Sequence, residues 1–136
     1  MTKIHEVGLI IIGDEILSGK RNDLHFENSK KILSKRGISV SWVVTVGDDK
    51  KLCERFLKFS FSNSNFVVFC FGGIGSTPDD NTRRACADAL GVNLSLNPEA
   101  EKLIRNKFSE LNIPITHERL QMGEFPLGSE LIPNPT

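Results

Sequence analysis

The apolar residues gather in three short runs, and each run stops at a glycine. "VGLIII" at 7–12 meets Gly13, "ISVSWVVTV" at 38–46 meets Gly47, and "NFVVFCF" at 65–71 meets Gly72. The first run is unbroken and β-branched, the pattern of a central parallel strand buried on both faces. The other two predict strands beside it. Between and after the runs, apolar positions recur at helical spacing. A helix is expected from about Leu24 to Arg36, with Asp23 or Asn22 as its N-cap and Gly37 closing it. "KKLCERFLKF" predicts another behind the "GDD" at 47–49, and "DDNTRRACADALG" another closed by Gly91. Asn97 and Pro98 open a further helix over "NPEAEKLIRNKFSELN". The last twenty residues predict loops with one short strand near "SELIP".

Alternation of strand and helix predicts an α/β fold, a three-layer α/β/α sandwich with a mostly parallel sheet, in a single domain over 1–136. Ligands of such sheets lie beyond the carboxyl ends of the strands, where the strand order reverses. A 2-1-3 order brings "GDE" at 13–15, "GDD" at 47–49 and "GGIGSTPDD" at 72–80 to one edge.

Composition narrows the partners. Seventeen basic residues balance seventeen acidic ones, which gives none of the positive field of a nucleic-acid binder. "KKILSKR" at 30–36 has helical spacing and reads as a solvated helix face. Cys53, Cys70 and Cys86 include no CxxC pair and read as reduced core thiols of a cytoplasmic protein rather than disulfides or zinc ligands. "VGLIII" is far short of the ~20 apolar residues that span a bilayer, and no signal-peptide pattern opens the chain. His5, His25 and His117 are scattered without metal spacing, and Trp42 reads as packing.

The chemistry concentrates in the third turn. Gly72, Gly73 and Gly75 fall within four residues. The P-loop ending Gly-Lys-Ser/Thr is missing, and the dinucleotide pattern begun at Gly73 and Gly75 meets Pro78 where glycine belongs. A backbone cradle for an oxyanion at a helix N-terminus remains. Thr77 as N-cap, Pro78 at the first helical position and Asp80 at the third make a helix start, which by itself accounts for the aspartates. The alternative is a cation. Carboxylates repel a phosphate unless a cation lies between them, and Mg²⁺ binds one or two carboxylates plus phosphate oxygens. Asp80, with Asp48 or Asp14, offers that site. Ser18 and Gly19 supply a hydroxyl and an amide to a ligand, or form a surface turn.

In order, "GDEILSG…D", "VGDD" and "GGIGSTPDDNTR" resemble the molybdopterin-binding domain shared by MoaB, Mog and the CinA N-terminal domain. The similarity runs from about Val7 onward and is strongest to the CinA-like branch, the competence/damage-inducible proteins, which also have a segment like "EFPLGSELIPNP". The resemblance implies a pocket for a phosphorylated pterin, molybdopterin, or a nucleotide. Asp14, Ser18, Gly19 and Asp23 match the family's first motif. Gly72, Gly73, Gly75 and Ser76 match its phosphate cradle, and Asp48 and Asp80 match its two acids of chemical importance. It further implies a tie to molybdenum cofactor biosynthesis and self-association as a trimer or dimer. Some CinA-like domains imply instead a metal-dependent pyrophosphatase for ADP-ribose, with Mg²⁺ or Co²⁺. A third reading is a non-catalytic oligomerising or regulatory domain. The chain departs from the family in three places. Cys70, Phe71 and Ile74 replace Mog-type threonines, "DLHFEN" replaces small polar residues, and the family's C-terminal strands are expected to be missing from 1–136.

Overall fold

The structure, a computed structural model, describes residues 5–134. Its main sheet is parallel, in the order β2-β1-β3, with β1 at Glu6–Ile12, β2 at Val40–Val46 and β3 at Phe66–Phe71. This is the strand order expected from the sequence. Every residue of β1 from Val7 to Ile12 is buried, which explains why that run tolerates no polar residue.

One face of β1 holds the main core. Ile10, Ile12 and Val46 pack with Cys53 and Leu57 of α3 (Lys50–Phe61) and Ala85 of α4 (Thr82–Leu90). The opposite face buries Leu9 and Ile11 and carries α2 (His25–Ser34), which contributes Leu33 and reaches across to β2. This third layer reaches β3 only at its carboxyl end, where His25 meets Phe71, and leaves Val67 and Phe69 exposed. Trp42 is packing, as its strand position suggested. Its indole lies over Gly8, where a Cβ would sit 2.0 Å from the ring, and it meets Phe59 and Phe66 edge-on.

Ile10 is fully buried at the centre of this core. Ile10→Ala is therefore expected to cost about 2–5 kcal/mol, through lost apolar transfer and the cavity left behind. Urea unfolding of the variant against the parent measures it.

Several helix starts follow the sequence. Asp49 caps α3 by accepting from the Leu52 amide at 2.7 Å, and Asn97 caps α5 (Pro98–Glu110) through the amides of Glu99 and Ala100. Asp23 accepts from the amides of His25 and Phe26 and so tethers the start of α2.

Three expectations need correction, the first being that Cys70, unlike buried Cys53, is an exposed thiol near the end of β3 rather than a core one. α4 starts at Thr82, so Thr77 is not its N-cap and Pro78 is not its first residue. Thr77–Asp80 instead closes a separate turn, because the Asp80 carboxylate accepts from both the amide and the hydroxyl of Thr77. The sequence after α5 is also more ordered than expected. A short helix, α6 (His117–Gln121), is capped by Thr116, and β5 (Glu124–Pro126) pairs antiparallel with β4 (Leu94–Leu96). "SELIP" forms no strand, and the pairing with β4 is made by "EFP" instead.

Candidate functional site

Strand register assembles the three turns. Ile12 lies opposite Val46, and Ile11 opposite Phe71, so Gly13, Gly47 and Gly72 leave the sheet on one edge. Neighbouring strands are about 4.8 Å apart, which keeps all three turns within one small ligand's reach.

The first two turns are tied together by their aspartates. The Asp14 amide donates to the Asp48 carboxylate at 3.1 Å, and the Asp48 amide donates to the Asp14 carboxylate at 3.0 Å. Gly47 is required by this exchange, because a Cβ there would lie 2.4 Å from the Asp14 carboxylate. Each carboxylate spends one oxygen on the partner turn. Asp14 also begins a one-turn helix, α1 (Asp14–Leu17), which Ser18 and Gly19 close. Ser18 hydroxyl donates to the Glu15 carbonyl at 3.4 Å, and Ser18 and Gly19 are exposed beyond the far end of that turn.

The glycine loop is held from behind by α4. Thr82 donates its hydroxyl to the Gly72 carbonyl at 2.8 Å and its amide to the Gly73 carbonyl at 3.1 Å. The Arg83 guanidinium takes the Ile74 carbonyl and, at 3.0 Å, the Gly75 carbonyl. Four successive carbonyls are thus consumed on one side. The amides of Gly73, Ile74 and Ser76 have no acceptor among the described residues. Unpaired amides in a turn form a concave anion seat, interrupted here at Gly75, whose amide donates to Asp80.

Asp80 closes the loop at its other end. Burial pushes its pKa up, but hydrogen bonds from the Thr77 hydroxyl and amide and the Gly75 amide, with the Arg83 charge, hold it below the ordinary carboxylate value. It is an anion at neutral pH. Burial also lowers the pKa of Arg83, against the pull of Asp80 and Glu124. A polar cleft of about 210 Å³ continues from Thr77 and Asp80 past Arg84 to Gln121 and Glu124.

The family model for a probable molybdopterin binding domain matches residues 8–131. The chain belongs to this family. A CinA-like protein of Sulfurihydrogenibium is 35% identical over 127 residues, covering 93% of this chain and 32% of that protein. A Saccharolobus islandicus protein is 34% identical over 126 residues, covering 93% of this chain and 48% of its own length. The chain thus spans a third to a half of these relatives. Among solved structures, CinA of Thermoplasma acidophilum, described as of unknown function, superposes with a TM-score of 0.85 at 26% identity, covering 98% of this chain and 78% of that one. The Thermus molybdopterin biosynthesis enzyme MoaB shares the fold, with a TM-score of 0.57 at 20% identity over 75% of this chain and 63% of its own.

In this molybdopterin-binding domain the predicted site residues fall into three groups. Asp14 and Asp48 are bonded to each other, while Gly72, Gly73, Gly75, Ser76 and Asp80 form one loop. Asp23 stands at the start of α2, and Ser18 and Gly19 lie at the end of α1. Sequence reading missed Thr82 and Arg83. Their signal was indirect: a loop of free carbonyls needs donors, and "TR" follows it at the first turn of the next helix.

Arg83 also gives a direct test of the loop. Arg83→Met keeps the stem and removes both carbonyl contacts. Hydrogen exchange at the amides of Gly75 and Thr77, which donate to Asp80, is expected to quicken about tenfold or more, with a stability loss of about 1–3 kcal/mol. Exchange mass spectrometry reads the first effect and urea unfolding the second.

Proposed function

We propose that this domain binds the phosphate of a small phosphorylated molecule, a molybdopterin-type pterin or a nucleotide, at the carboxyl edge of its sheet. The observation that carries the reading is the run of unpaired amides at Gly73, Ile74 and Ser76, presented by a loop whose carbonyls are locked away. On this reading the amides of Gly73, Ile74 and Ser76 seat the phosphate, and Gly72 and Gly75 shape the loop that presents them. Asp14, Ser18, Gly19 and Asp23 border the rest of the ligand.

A phosphate there lies beside ionised Asp80 and near Asp48. A divalent cation, Mg²⁺ in the first instance, relieves that repulsion. Among the described residues no group of three or more His, Cys, Asp or Glu could hold a metal alone. Asp48 and Asp80 suit an ion that completes its shell with ligand oxygens and water. The metal therefore arrives with its ligand. A place in molybdenum cofactor biosynthesis is the family-level extension of this reading. Hydrolysis of an ADP-ribose-type pyrophosphate is the alternative, favoured by the same carboxylates, since a bound cation also polarises a phosphoryl oxygen. We assign the chain to the cytoplasm and to a homodimer or homotrimer, which would cover the exposed Val67 and Phe69. Among the described residues no helix is long and apolar enough to cross a membrane.

Calorimetry with molybdopterin, ATP and ADP-ribose, with and without Mg²⁺, tests the proposal. Micromolar-order binding that needs Mg²⁺ is the expected result, about −8 kcal/mol. Turnover of ADP-ribose with Mg²⁺ or Co²⁺ would favour the alternative. Absence of binding for all three ligands removes the phosphate seat.

A further inference from the structure

We propose that His25 contacts the bound phosphate and takes up a proton when the ligand binds. The proposal rests on the phosphate-binding reading and adds a residue and a proton to it. The imidazole begins α2 at the carboxyl edge of the sheet and stacks on Phe71, with ring centroids 4.7 Å apart and planes inclined by 28°. Phe71 ends β3 and leads directly into Gly72 and the amide seat. The strand that presents the cradle therefore also holds the imidazole beside it.

A second contact fixes the ring's rotation. His25 Nδ1 lies 2.8 Å from Asp23 Oδ1. Burial raises the Asp23 pKa, but the amides of Phe26 and His25 and the imidazole itself outweigh this and hold it below the ordinary value. Asp23 is thus a carboxylate, which only accepts, so Nδ1 carries the hydrogen. Nε2 has no partner among the described residues, and the side chain is 48% exposed. Capping α2 would need Asp23 but no imidazole upon it. A surface stack would need Phe71 but no carboxylate.

The state of Nε2 follows from its surroundings. In the neutral ring Nε2 is a lone pair, which a phosphate oxygen repels. In the protonated ring it is a charged donor, which a phosphate oxygen attracts. Asp23 is the titratable group touching the ring, and β3 meets it with the uncharged Phe71. Asp23 and the phosphate both favour imidazolium. Binding at pH 7.5 therefore draws a proton from the buffer onto Nε2 of a ring that starts neutral.

The test uses ADP with Mg²⁺ as probe, in calorimetry at pH 7.5 in two buffers of different ionisation enthalpy. Net proton uptake on ADP binding is expected, and the His25 Cε1–H resonance should move downfield on saturation. His25→Gln should bind ADP about tenfold more weakly and lose the buffer dependence. His117→Gln, on α6, should behave like the parent. ADP binding without buffer dependence and without movement of the His25 resonance overturns the role of His25 and leaves the phosphate seat standing. ADP failing to bind the parent overturns both. If His25→Gln is unfolded by circular dichroism, the resonance of the parent protein decides.

Discussion

Gly72→Ala is expected to destabilise the domain by about 3 kcal/mol or more and to abolish phosphate binding. Two costs coincide there. Gly72 has φ +94°, a conformation that costs an L-residue about 1–2 kcal/mol. A Cβ would also lie 2.0 Å from the backbone carbonyl oxygen of Ile12, which cannot rotate aside because it belongs to the central strand. The loop must then move off β1, and the amide seat moves with it. Gly91→Ala separates the two costs. Gly91 has φ +67° and nothing within 4 Å of its would-be Cβ, so it should lose only the conformational part, about 1–2 kcal/mol. Urea unfolding of both variants, with ATP–Mg²⁺ titration of each, makes the comparison. Equal losses would show that the approach to Ile12 is unimportant, and a Gly72 variant that still binds would detach the cradle from this glycine.

The central strand was legible because burial on both faces leaves no choice of residue. Val7–Ile12 could be little else, and the glycines ending each run marked the edge where the turns meet. The relation of Asp14 to Asp48 was not legible. Both read as acids of a ligand site, yet each also holds the other's turn by a side-chain-to-backbone bond across thirty-four residues. Such bonds leave no periodic trace. The start of α4 was misplaced for a related reason. Thr77, Pro78 and Asp80 satisfy the local rules for a helix start, and locally they do form a turn. Thr82 and Arg83 then pull the chain back onto the glycine carbonyls, and the helix begins only there. The β4–β5 ribbon was missed because "LSL" and "EFP" are too short to show alternation, and their pairing joins segments separated by all of α5 and α6.

Asp80→Asn is expected to abolish Mg²⁺-dependent ligand binding, by about a hundredfold or more, while costing the fold only about 1 kcal/mol. The structural part is small because an amide oxygen can still accept from Thr77, whose hydroxyl and amide now share Asp80 Oδ2. The functional part is large because a neutral amide neither neutralises nor strongly coordinates Mg²⁺. Asp48→Asn should lose binding similarly, with its bond from the Asp14 amide kept. Asp88→Asn removes an exposed pairing with Lys50 and should leave binding unchanged. Acid supplies an independent check. The folded pKa of Asp80 lies below its ordinary 3.8, so its stabilisation is complete above that value and fades as pH falls through the folded pKa. The stability gap between parent and Asp80→Asn should therefore be present at pH 7 and close in acid. A gap unchanged down to pH 2 would mean that the Asp80 charge does not hold the loop. Unaltered Mg²⁺-dependent binding by Asp80→Asn would leave this carboxylate with the turn at Thr77 and no cation.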